Sequence, residues 1–212
     1  EPEIADMLGS AFREQGFIPM GGNAAGFHAG EKPFEGPLKP GDGVGVMLVS
    51  GDLALGATGT VTHIDGDRVY AFGHPMYNLG PTEFPMTRAY TYTVLPSLFS
   101  SMKLSSTGEI IGTVLQDRAT AIAGTLGPGP RMLPVTLALE SNRRPTRTFK
   151  FGVVNDPLFG PLMTYATIVN TLTSYERQFE SMTLSVRGSA KVRKHDAIGF
   201  NNLFSGEQAA TA

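Results

Sequence analysis

Four histidines, His28, His63, His74 and His195, are the side chains here best suited to moving a proton near neutral pH. No two stand at the spacing that places metal ligands on one helix or turn, and the chain has no cysteine to complete a set. Zinc–thiolate sites, cysteine nucleophiles and disulfide frameworks are therefore excluded. His28 and His195 lie among glycine-rich or basic residues and read as solvated. His63 falls in a predicted hairpin, opposite Arg68, and reads as a strand-surface residue. His74 is different: it closes the strand Val69-Tyr70-Ala71-Phe72-Gly73-His74-Pro75. Gly73 lets another backbone or a substrate approach, and Pro75 stops the strand from continuing. A histidine held there, at a barrel rim, can act as a general base or can simply cap a backbone carbonyl. The residues alone leave both open.

The elements that must position His74 are strands. The 26 glycines and 15 prolines are spread through the 212 residues, which implies short strands and tight turns. Val44–Val49 is a buried-strand run, Leu53–Ile64 a second strand, and Arg68–Phe72 its return. Asp65-Gly66 between them is the signal for a type I′ turn. Further strands are predicted over Ala89–Leu95, Glu109–Leu115, Thr120–Leu126 and Val135–Leu139. This spacing predicts a mainly β protein built on an antiparallel barrel. After the basic loop 141–147 comes the strand Phe149–Val154, then Asp156-Pro157 as an N-cap with proline at the first helical position. Leu158, Leu162, Tyr165, Val169 and Leu172 form one stripe of a helix ending near Phe179. Met182, Leu184 and Val186 alternate as a strand. Ile4, Met7, Leu8 and Phe12 suit one face of a short N-terminal helix over 3–15.

The resulting organisation is an N-terminal helix with a Gly/Pro-rich connection (1–43), a barrel core (44–140), a strand-helix-strand extension (141–199) and the start of a following module (200–212). The chain opens Glu-Pro-Glu with neither initiator methionine nor signal-peptide pattern, which reads as a piece of something longer. No apolar run reaches the roughly 18 residues of a membrane span. With 17 basic and 19 acidic side chains, a net charge of −2, no basic surface points to a nucleic-acid partner. Gly21-Gly22-Asn23-Ala24-Ala25-Gly26 lacks the lysine of a phosphate loop, so no cofactor is implied.

Ala57-Thr58-Gly59-Thr60-Val61-Thr62, followed by Ala71-Phe72-Gly73-His74-Pro75, resembles the core of the SpoIVB (stage IV sporulation protein B) serine peptidase family. The similarity runs on through Ala89–Ser97, Ile111–Arg118, Ala121–Gly124 and Arg131–Val135, and so covers roughly residues 38–140. Large exported bacterial relatives share the later layout, including the ending Asn202-Leu203-Phe204-Ser205-Gly206. The resemblance implies a chymotrypsin-like barrel, a protein or peptide substrate and an extracytoplasmic location. It makes His74 the general base. The family's nucleophile lies in a G-M-S-G-S-P motif, where glycines shape an oxyanion hole. This chain has no such motif. Ser50-Gly51, Gly188-Ser189 and Ser205-Gly206 are the nearest fragments, and each reads better as a turn. In the large relatives the serine motif precedes the region present here, so the nucleophile is expected on a missing N-terminal segment or a partner chain. Asp117, just past a predicted strand, is a candidate to orient the imidazole; pairing with Arg118 or capping a turn are its other readings. The alternative to a peptidase fragment is a catalytically inactive barrel for binding or assembly.

Overall fold

The computed structural model of the chain describes residues 36–96, 98, 101–175, 182–206 and 209. The helix expected over 3–15, most of the Gly/Pro-rich connection, and His28 lie outside them. Ten strands and one helix are described: β1 (Gly43–Gly51), β2 (Leu55–Asp65), β3 (Arg68–Ala71), β4 (Gly80–Leu95), β5 (Met102–Arg118), β6 (Ala121–Leu126), β7 (Leu133–Leu139), β8 (Arg147–Val153), α1 (Phe159–Tyr175), β9 (Met182–Ala190) and β10 (Ile198–Gly206). The chain divides into two compact units, Glu1–Thr164 and Tyr165–Ala212, with the division inside α1.

The first unit is an antiparallel, eight-stranded sheet in the order β2-β3-β6-β5-β4-β1-β8-β7. A further β1–β2 pairing partly closes the sheet into a ring. β1 explains why its sequence is a continuous apolar run instead of an alternating one. It pairs with β2, β4 and β8, and Val44 through Val49 are all buried. A strand covered on both faces needs no polar side. β8, which sequence places in the extension beyond residue 140, pairs with β1 through Val49–Gly51 and with β7 along its whole length. β7 itself pairs only with β8 among the described residues, so it stands outside the ring.

The β2–β3 hairpin corrects the expected turn. Asp65 pairs with Arg68, so the two central residues are Gly66 and Asp67. Gly66 alone has positive φ, at 60°, which is the requirement of a type II′ turn, not of type I′. That register places His63 opposite Tyr70 rather than Arg68, and an irregularity between Val61 and His63 shifts the pairing only beyond the histidine.

α1 begins where the sequence indicates. The Asp156 carboxylate accepts hydrogen bonds from the amides of Leu158 (2.9 Å) and Phe159 (2.8 Å), satisfying two of the otherwise unpaired first-turn donors. Its buried face follows the expected stripe at Val169 and Leu172 and departs from it nearer the N-terminal end. Leu158 and Tyr165 are exposed, while Phe159, Met163, Ala166 and Thr167 are buried. Threonines conceal this face in the sequence. Thr171 and Thr173 satisfy their hydroxyls on the carbonyls of Thr167 and Val169, so they can be buried at little cost. Met163→Ala is therefore expected to cost about 2–5 kcal/mol and Leu158→Ala less than about 0.5 kcal/mol. Chemical denaturation of the two variants measures this, and equal losses would mean the face is assigned wrongly.

In the second unit, β9 and β10 form a two-stranded antiparallel sheet in unbroken register from Met182↔Gly206 to Ala190↔Ile198. Gly188 lies under the ring of Phe200, whose atoms stand 2.4–3.1 Å from where a Cβ would be.

Candidate functional site

The turn that carries His74 is built on an unusual backbone. Phe72 still donates its amide to the Thr60 carbonyl at 3.0 Å, as the last rung of the β2–β3 pairing. Phe72 and Gly73 then both adopt left-handed conformations, with φ of 74° and 75°. Glycine takes this conformation freely, but a phenylalanine does so at a cost of order 1 kcal/mol or more. Packing of the Phe72 ring supplies the compensation. A Cβ on Gly59 would stand 2.2 Å from that ring, so only glycine at 59 leaves room for it. The same ring lies 5.7 Å from the His74 ring, centre to centre. Gly59→Ala is expected to destabilise the protein by about 1–3 kcal/mol through overpacking and to dislodge the turn. A denaturation midpoint unchanged from wild type would show that the ring does not need this seat.

His74 is exposed, and its Nδ1 lies 2.7 Å from the Pro75 carbonyl oxygen. A carbonyl can only accept, so Nδ1 carries the proton in this contact. In the neutral ring that leaves Nε2 as the basic nitrogen. No serine hydroxyl hydrogen-bonds His74 among the described residues, and Ser50 instead contacts the Gly152 carbonyl at 3.4 Å and the Met132 sulfur. His63 and His195 are exposed, and no three histidine, aspartate or glutamate side chains gather as a metal site among the described residues.

Asp117 does not pair with His74. Its carboxylate is fully buried and binds the loop that follows the histidine. Oδ1 accepts from the Met76 amide at 2.8 Å, and Oδ2 accepts from the amides of Tyr77 at 2.7 Å and Leu79 at 3.3 Å. The topology explains this arrangement. Asp117 lies on β5 opposite Gly80, the first residue of β4, and opposite Ile122 of β6, so its side chain meets the β3–β4 connection. Positive φ at Asn78 and Gly80, 58° and 82°, bends that connection so that its amides converge on the carboxylate. Arg118 turns away, and its Nε donates to Gln116 Oε1 at 2.8 Å. Of the readings open from sequence, Asp117 is a turn cap. It acts on His74 only through the backbone of residues 75–79, so it is a positioning residue.

The Tyr77 phenol is held well above its ordinary range, first by burial and then by the neighbouring Asp117 charge. Its ring packs on Phe159, with centroids 4.6 Å apart. A raised folded-state value means that stability is intact below the ordinary tyrosine range and declines as pH rises through about 10, where the unfolded chain loses the proton first. Unfolding free energies at pH 9 and 11 should therefore fall more for wild type than for Tyr77→Phe. Equal slopes would refute the assignment.

Sequence reasoning singled out His74 and Asp117 but not the left-handed Phe72, the Gly59 seat or the three amides. Thr-Gly-Thr in the middle of β2 and Asn78 before a glycine were the available signals, since glycine in a strand marks close approach and asparagine tolerates positive φ. Compared with protein-family models, with curated proteins and with solved structures, the chain matches none.

Proposed function

We propose that this chain is the histidine-bearing part of a SpoIVB-like serine endopeptidase of chymotrypsin-like type, working on a protein or peptide outside the cytoplasm. The observation that carries the reading is the state of His74. Its Nδ1 is committed to the Pro75 carbonyl, and the ring is exposed on a turn whose strain is offset by packing. A general base needs one ring nitrogen fixed by an acceptor so that the other can take the nucleophile's proton. Here the acceptor is a backbone carbonyl in place of a carboxylate. The nucleophilic serine would come from a polypeptide segment outside these residues or from another chain. His74 Nε2 would take the hydroxyl proton as the serine attacks the peptide carbonyl, then return it to the leaving amine; water would hydrolyse the ester by the same route.

Labelling with a serine-directed phosphonate tests this. The 212-residue chain is expected to remain unlabelled. The polypeptide expressed together with whatever sequence precedes Glu1 in its gene is expected to label at one serine of a G-x-S-G-x-P segment. Absence of labelling there would overturn the peptidase reading. One observation favours the second reading, an inactive barrel for binding or assembly: Asp117, the available carboxylate near the turn, is fully engaged by backbone amides and does not orient the imidazole.

A further inference from the structure

From Ala89 on, β4 pairs with β5 alone, and the two strands run as a hairpin past the end of the β1–β4 pairing. The twenty residues Ala89–Gly108 contain no aspartate or glutamate and one charged residue, Lys103. Elsewhere the chain is rich enough in charge that 17% of all its residues carry one. The hairpin's side chains are graded along its length. Tyr90 and Tyr92 come first, exposed, with their rings edge to face at 4.9 Å. Val94 and Leu95 follow, 49% and 44% exposed, and Leu98 beyond them is fully exposed. Three exposed aliphatic side chains within the five residues 94–98 are unfavourable in water unless something covers them.

We propose that this hairpin end docks on a lipid bilayer, with Val94, Leu95 and Leu98 entering the headgroup–acyl boundary and Tyr90 and Tyr92 at headgroup level. Tyrosine suits the membrane–water interface because its ring is apolar and its hydroxyl polar, whereas carboxylates are costly there. The order of residues along the hairpin matches that gradient. The end is also held at a defined height. Ser105 hydrogen-bonds Thr58, Lys103 hydrogen-bonds Thr60, and Tyr92 hydrogen-bonds Ser106 at 3.1 Å. Lys103 stands opposite Val94, so the hairpin is tied to β2 as far as that pair, and Leu95 and Leu98 lie past it. A protein partner fits less well. Residues 90–96 are exposed on both faces of β4, and a flat partner covers only one. The register irregularity between Thr91 and Thr93 breaks the regular edge that an added strand requires. A lipid surface surrounds an inserted end on every side. The inference is independent of the peptidase reading.

The chain contains no tryptophan, so Leu98→Trp creates a single reporter at an exposed position. Its emission is expected to shift to the blue on adding phosphatidylcholine vesicles, more so with phosphatidylglycerol included, and to be quenched by brominated acyl chains. Adding Leu95→Asp should weaken partitioning at least tenfold while leaving circular dichroism unchanged. No shift at millimolar lipid would overturn the proposal. So would binding restricted to phosphatidylglycerol vesicles and abolished by salt, which is adsorption without insertion. A blue shift with rising protein concentration and no lipid would also overturn it, by showing that a second copy covers the hairpin end.

Discussion

Asp117→Ala is expected to lower the unfolding free energy of the sheet by about 3–5 kcal/mol, among the largest losses any single substitution here would cause. The carboxylate is fully buried and satisfies the amides of Met76, Tyr77 and Leu79 together. Each amide left without a partner costs about 1–3 kcal/mol, and a water in the vacated space recovers only part of this. Asp117→Asn should restore only part of this, because its carbonyl oxygen can accept from Tyr77 and Leu79 while its NH2 group sets a donor against the Met76 amide. The check is equilibrium denaturation in urea alongside His74→Ala, which removes an exposed ring and should cost less than about 0.5 kcal/mol. If Asp117→Ala cost under 1 kcal/mol, the three amides would have to find other acceptors and the carboxylate would not organise the turn.

On the peptidase proposal, His74→Ala should reverse that pattern, sparing stability and removing activity. In a polypeptide that carries the nucleophile, kcat/KM is expected to fall by about 10⁶-fold, the order of loss seen when the base of a serine–histidine pair is removed. The chemistry sets that size: without Nε2 the serine hydroxyl has no acceptor for its proton, and the leaving amine no donor. His74→Gln should be nearly as inactive, since an amide can hold a hydrogen bond but cannot take up the proton. Phe72→Ala touches neither proton and is expected to act by removing the ring that packs between Gly59 and His74, which loosens the turn. Its loss should be smaller and accompanied by reduced stability. Full activity in His74→Ala would remove the histidine from the mechanism, whatever the serine proved to be.

The strands were legible because their signal is local. β1, the β2–β3 hairpin, β6 and β8 all appear near where apolar runs and turn residues place them, and the Asp156 cap of α1 is written in two adjacent residues. Sheet neighbours were less legible. β8 joins β1 through residues about a hundred positions apart, and no periodicity within either strand states that pairing. The face of α1 was legible at Val169 and Leu172 and misjudged elsewhere, for a related reason. Threonine counts as polar in a pattern of residue types, yet its hydroxyl can be satisfied within its own helix and the residue buried.

At the site the division is sharper. The sequence by itself determined that a histidine ends a strand between a glycine and a proline, and that an aspartate follows another strand. Tertiary structure decided what each does. Asp117 reaches the β3–β4 loop because β5 lies between β4 and β6 in a register interrupted several times along β4, and each irregularity alters which residues stand opposite. Phe72 is left-handed because its ring finds a seat on Gly59 of the neighbouring strand, which nothing in the residues around Phe72 reveals. Secondary structure follows from contacts a few residues apart, which a linear pattern contains. A buried carboxylate's partners depend on which distant backbone amides point toward it, and only the folded sheet places them there.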